Sequence, residues 1–168
     1  MSLNIVMVEP EIPQNTGNVA RLCAAAGARL HLVRPFGFQL DSKHMKRAGL
    51  DYWDSVDVVI HDSLSEFMAG PSPRGRFFLA TTSGRRSYHE VNYNDGDYIL
   101  FGPESKGLPK EMLRAHPDQT IRIPMAPQCR SLNVANSAAI VLYEALRQMD
   151  FPALVSGVNG EVLHGDCQ

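Results

Sequence analysis

Short β-rich apolar runs alternate with stretches of helical periodicity along most of the chain, and this alternation most narrows the possible fold. The runs at Asn4–Val8, Leu30–Val33, Val56–Ile60, Phe77–Thr82, Tyr98–Phe101 and Ile121–Ile123 suit strands, while Gly17–Ala26, Leu64–Met68 and Glu111–Ala115 suit helices. Strands that alternate with helices predict an α/β fold with a largely parallel sheet. Val134, Ala138, Val141, Leu142, Ala145 and Met149 recur at helical spacing, which predicts a closing amphipathic helix from about Asn133 to Met149. No linker or internal repeat divides the chain, so 1–151 reads as one domain. Periodicity is lost in 152–168, which reads as a loosely attached tail.

In such sheets ligands gather beyond the carboxyl ends of the strands, where backbone groups are free and helix N-termini converge. Three loops qualify: Glu9–Asn18, Gly102–Pro109 and Pro124–Asn133. The first offers Asn15, Thr16 and Asn18, with Arg21 about one turn into a helix. Asn15 or Thr16 could equally be a helix cap and Arg21 a solvated charge. The second places Gly102 after an apolar strand, near Glu104. The third crowds Arg130, Ser131 and Asn133 at the entrance to the closing helix, where Ser131 or Asn133 could serve only as a cap.

Several chemistries lack their residues. The chain has no G-x-G-x-x-G, no phosphate-binding G-x-x-x-x-G-K-[ST] and no G-x-S-x-G elbow, and its six histidines lack metal-ligand spacing. Three widely spaced cysteines fit neither disulfides nor zinc, and Cys23 in LCAAAG reads as buried filler. No signal-like start or membrane-length apolar run is present, so a cytoplasmic protein is expected. A net charge of −2 and a pI of about 6.3 give no global footprint for nucleic acid. Local clusters, Lys43, Lys46 and Arg47 beside His44 and the pair Arg85 and Arg86, are either phosphate contacts or solvated surface. The residues by themselves lead to an α/β protein that binds a polar small molecule.

Taken together, EPEIPQNTGNVARLCAAAG, FGPESKGLP and RIPMAPQCRSLNVANSAAIVLYEALRQ resemble the three ordered motifs of the SPOUT superfamily of RNA methyltransferases. With HLVRPFGF, KRAGLDYW and the short length, the likeness narrows to the minimal TrmL-type (YibK-type) tRNA 2′-O-methyltransferases and extends over roughly 4–151. The resemblance implies a parallel sheet with helices on both faces and a C-terminal trefoil knot, and a homodimer packed through the first and closing helices; the histidine spacing already argues for no metal. Cys23, Ala24 and Ala25 then become candidates for contact at that interface.

The resemblance further implies that S-adenosylmethionine binds at Ala80, Gly102, Glu104, Ile123, Met125, Ser131 and Leu132, largely through backbone atoms. Catalysis would fall to Arg21, with Asn15 and Asn133 positioning it. Arg130 and Tyr143 match RNA-associated positions, and Lys43, Lys46, Arg47, Arg85 and Arg86 are the further candidates for RNA phosphates. The implied substrate is the anticodon stem-loop of tRNA, methylated on the wobble cytidine or uridine ribose of leucine tRNAs. The alternatives are a non-catalytic module that binds cofactor or RNA, and 2′-O-methylation of another RNA such as rRNA.

Overall fold

A computed structural model describes residues 3–39, 56–70, 76–152 and 154–155. Its centre is a seven-stranded sheet made of β1 (Asn4–Val8), β2 (Arg29–Val33), β3 (Val58–His61), β4 (Phe77–Ala80), β5 (Arg86–Ser87), β6 (Tyr98–Phe101) and β7 (Thr120–Arg122). Every pairing is parallel, in the order β3-β2-β1-β6-β4-β7-β5. A parallel sheet needs both faces covered, which is why the strands read as nearly continuous apolar runs. β1 is buried at all five positions.

Helices α1 (Pro13–Ala26) and α4 (Val134–Gln148) cover one face. There Val19, Ala20 and Cys23 meet Ala138, Val141 and Leu142 over Ile5, Leu30 and Ile99. The other face carries α2 (Leu64–Ala69) and α3 (Lys110–Ala115). Phe67, Met112 and Leu113 pack there on Val6, Val33, Leu79 and Leu100. Cys23 is fully buried, and burial pushes its thiol up to about 12. It is core filler, and as an interface candidate it is corrected: the contact it makes lies within the subunit, whereas Ala25 is exposed.

Most expected elements are present within two residues of their ends, including the closing helix, which is capped by Asn133. Three differences have physical causes. Helix α1 starts at Pro13, not Gly17, because proline at the first helical position has a suitable φ and lacks only an amide that would be unpaired anyway. The β4 run ends at Ala80, where the chain turns through Thr81. The edge strand β5 has only two residues, neither of them buried, so no apolar pattern announced it.

The strands do not fill the sheet in chain order. β7 lies between β4 and β5, although it follows both in sequence. The connection between β4 and β5 crosses it closely: a Cβ on Gly84 would lie 2.5 Å from the carbonyl carbon of Ile121. Only glycine fits that crossing.

Candidate active site

The carboxyl ends of β1, β4, β6 and β7 open onto one cleft of about 650 Å³. All seven residues assigned to cofactor binding line it: Ala80, Gly102, Glu104, Ile123, Met125, Ser131 and Leu132. Asn15, Asn133 and Arg130 line it too. Three of its four walls come from the expected loops; the fourth, 81–83 after β4, extends the site beyond Ala80. Apolar side chains beside free loop backbone suit a flat heterocycle that needs a few amide and carbonyl partners.

A hydrogen-bond relay ties the loops together. Glu104 Oε2 accepts from the Glu11 amide at 2.8 Å, and Oε1 accepts from the Ile12 amide at 3.3 Å and from Asn15 Nδ2 at 2.9 Å. Helix α1 has no side-chain cap of its own, so a carboxylate 93 residues away along the chain satisfies amides at its start, the end that favours negative charge. In return Glu11 accepts from the Ser105 amide at 2.8 Å and the Ser105 hydroxyl at 2.7 Å. Those bonds hold the Glu11 carboxyl below its usual range. Asn133 Nδ2 donates to Asn15 Oδ1 at 2.9 Å, while Asn133 Oδ1 accepts from the amides of Ala135 and Asn136. Asn15 is therefore no cap, as it lies inside α1. Asn133 is one, and its amide group links α4 to α1.

Gly102 is glycine for a steric reason. A Cβ there would lie 2.2 Å from both the carbonyl carbon of Gly107 and the amide nitrogen of Leu108. The loop folds back on itself so tightly that backbone occupies the side-chain position. Gly107 makes that return in the left-handed region, at φ 68°.

Other candidates lie elsewhere. Arg21 does not line the cleft; it is exposed on the outer face of α1 with Gln14, Asn18 and Ala25. Tyr143 is 43% exposed on α4, also away from the cleft. Arg85 lies 3.6 Å from Asp118, and Arg86 donates to the Glu90 carbonyl at 2.8 Å. Lys43, Lys46 and Arg47 fall outside the described residues. Conversely, Lys106, Lys110 and Arg122 line the cleft without belonging to any basic cluster in the sequence. No group of residues suited to a metal ion occurs among the described residues, and no described helix is long and apolar enough to cross a membrane.

The SpoU rRNA Methylase family model matches residues 2–143. The chain belongs to this family. Among SpoU-family relatives, the tRNA (cytidine(34)-2'-O)-methyltransferase of Escherichia coli K12 is 49% identical over 154 residues, covering 91% of this chain and 98% of the relative. The enzyme of the same name from Saccharophagus degradans is 48% identical over 149 residues, covering 88% and 96%. A solved structure described as giving insights into the 2-OH methylation of C/U34 on tRNA superposes with a TM-score of 0.82 at 51% identity, over 88% of this chain and 96% of that one. The SpoU methyltransferase AviRb from Streptomyces viridochromogenes, solved with AdoMet, superposes with a TM-score of 0.74 at 26% identity, over 88% and 60%. This SpoU-family chain is thus a methyltransferase with the α/β architecture of its relatives.

Proposed function

We propose that this protein uses S-adenosylmethionine to methylate the ribose 2′-hydroxyl of the wobble nucleotide, cytidine or uridine 34, of tRNA, with leucine tRNAs as substrates. The observation that carries the reading is convergence. Seven positions scattered over 80–132 and matched to cofactor binding line one cleft with Asn15 and Asn133, in a chain nearly coextensive with relatives named for this reaction.

When bound, the cofactor supplies a methyl group already activated on a sulfonium, whose thioether product leaves without protonation. The protein's task is then mostly alignment. Ala80, Ile123, Met125 and Leu132 form the walls around the adenosyl group, and the folded-back loop from Gly102 to Gly107 offers it backbone groups. Glu104 contributes main chain, since its carboxylate is engaged by α1 and Asn15. The relay fixes Asn15 and Asn133 beside the acceptor hydroxyl.

Arg21 acts through its charged, planar guanidinium. A guanidinium with a pKa above about 12 is a poor base, so Arg21 holds an RNA phosphate and stabilises the developing alkoxide. Its position outside this subunit's own cleft fits a homodimer in which α1 and α4 meet the partner and Arg21 and Tyr143 border the partner's cleft, open to the RNA. We further propose that the C-terminal part is knotted; the insertion of β7 between β4 and β5 supports this. Arg130 and Tyr143, with Arg85, Arg86, Lys43, Lys46 and Arg47, contact the RNA; the single domain spans 1–151, and of the tail expected over 152–168 all but 152, 154 and 155 lie outside the described residues.

Nucleoside mass spectrometry of tRNA anticodon stem-loops from a deletion strain tests the reading: the 2′-O-methyl group at nucleotide 34 disappears and returns with the wild-type gene. Its persistence, with loss from rRNA instead, would move the substrate to rRNA. Arg21→Lys separates the roles of the arginine. It is expected to lower turnover at least tenfold with little change in cofactor affinity; near wild-type turnover would reject a role for guanidinium geometry.

A further inference from the structure

The charge at the cleft is the reverse of that of the chain. The whole molecule has a net charge of −2, yet the charged residues lining the cleft are Lys106, Lys110, Arg122, Arg130 and a single acid, Glu104. The acid is already engaged by two amides and Asn15. All four cations are exposed, and Lys110, Arg122 and Arg130 have no ion pair among the described residues. Lys106 has only a loose one, 3.6 Å from Glu9. Elsewhere Arg29, Arg76 and Arg147 each lie within 3.0 Å of a carboxylate, and Arg34 and Arg85 are paired as loosely as Lys106. Lys110 also begins α3, where the helix dipole disfavours a cation. Unpaired like charges around one opening repel each other and stabilise nothing in the fold.

The cofactor does not account for them. S-adenosylmethionine carries one carboxylate beside a sulfonium and an ammonium, so one cation would suffice. Four exposed cations lining the cleft match a polyanion whose charges repeat along a strand. We propose that Lys106, Lys110 and Arg122 act with Arg130 as a cationic rim that holds backbone phosphates of the RNA strand as its target nucleotide enters the cleft. The proposal rests on the RNA-methylation reading and adds three residues from the loop after β6, the start of α3 and the end of β7. They draw the strand across the cleft, in addition to its contacts with the clusters that sequence alone singles out.

The test is the salt dependence of binding by the full-length protein to a 17-nucleotide anticodon stem-loop RNA. For Lys110→Gln combined with Arg122→Gln, the slope of log affinity against log salt is expected to fall by about 1.4, since each lost phosphate contact removes about 0.7 for single strands. RNA affinity at low salt falls at least tenfold. S-adenosylmethionine affinity, read by calorimetry on the same samples, stays within twofold, and the melting temperature is unchanged. Arg114→Gln, an exposed cation on α3 that does not line the cleft, leaves the slope unaltered. An unchanged slope in the double variant, or an equal fall in the control, overturns the proposal. So does a tenfold loss of cofactor affinity without a change in the RNA slope, which would assign the cations to the cofactor carboxylate. If the wild-type protein fails to bind the RNA at any salt, the RNA reading itself is wrong; binding with a slope indifferent to the rim removes the rim alone.

Discussion

His31 is 5% exposed and stands in an aromatic group with His61, Phe67 and Tyr98. Asn4 donates from Nδ2 to the Gly96 carbonyl, so its Oδ1 faces His31 Nε2 at 3.2 Å and requires a proton on that nitrogen. His31 Nδ1 is then the acceptor from His61 Nε2, 2.9 Å away. A second proton on His31 would face an N–H. Burial first, then the His61 charge, lowers its pKa from 6.5 to about 4, and burial also lowers that of His61. A lowered histidine pKa favours the neutral form in the folded state, so the contribution is complete above pH 6.5 and is lost as pH falls from there toward 4. Urea unfolding at pH 7.5 and pH 4.5 should therefore differ by up to ~3 kcal/mol from this residue, and His31→Phe should flatten the dependence. Gly102→Ala is the other sharp expectation at this scale. A methyl group 2.2 Å from backbone forces the loop open, and a loss of at least ~2 kcal/mol is expected in denaturant titration. Wild-type stability would show that the loop yields freely.

Glu104 shows how elements are joined. Its carboxylate stands in for the missing side-chain cap of α1 and reaches Asn15, which meets Asn133 at the start of α4. Glu104→Gln keeps the shape but replaces charge-assisted bonds with neutral ones, and its amide nitrogen cannot accept. About 1–2 kcal/mol of stability should be lost, measured by thermal melting. The loss should shrink when Asn15→Ala is also present, because the two residues share a bond. Full additivity would mean that the relay does not couple them. Asn133 was legible in the sequence as a cap because capping is local: its oxygen reaches amides two and three residues on. Asn15 was legible only as a polar residue near a helix start. Its bonds to Glu104 and Asn133 span 89 and 118 residues, and no local pattern records such distances.

The all-parallel sheet with β7 inserted between β4 and β5 makes most pairings non-local. Closing those loops precedes any gain from the contacts they permit, so folding should be slow. Refolding by dilution from urea, followed by far-ultraviolet circular dichroism, is expected to take seconds or longer. Completion within milliseconds would mean that the β4–β5 connection does not hinder placement of β7.

Sequence by itself determined the α/β class, six of the seven strands of the sheet, the closing helix and three of the loops that bear the cleft. These depend on local periodicity and on where glycine and proline interrupt it, and both are written along the chain. Tertiary structure decided the start of α1, the two-residue strand β5, the reason for glycine at 102 and the charge of the cleft. Glu104 became a cap because another loop presented bare amides to it, and Gly102 is glycine because distant backbone fills the space of a side chain. Lys106, Lys110 and Arg122 became neighbours because β6 and β7 end, and α3 begins, on the same side of the sheet. Net charge is a sum over the chain and is blind to placement. What binds at a cleft is governed by the charges within a Debye length of it, and only the fold selects those.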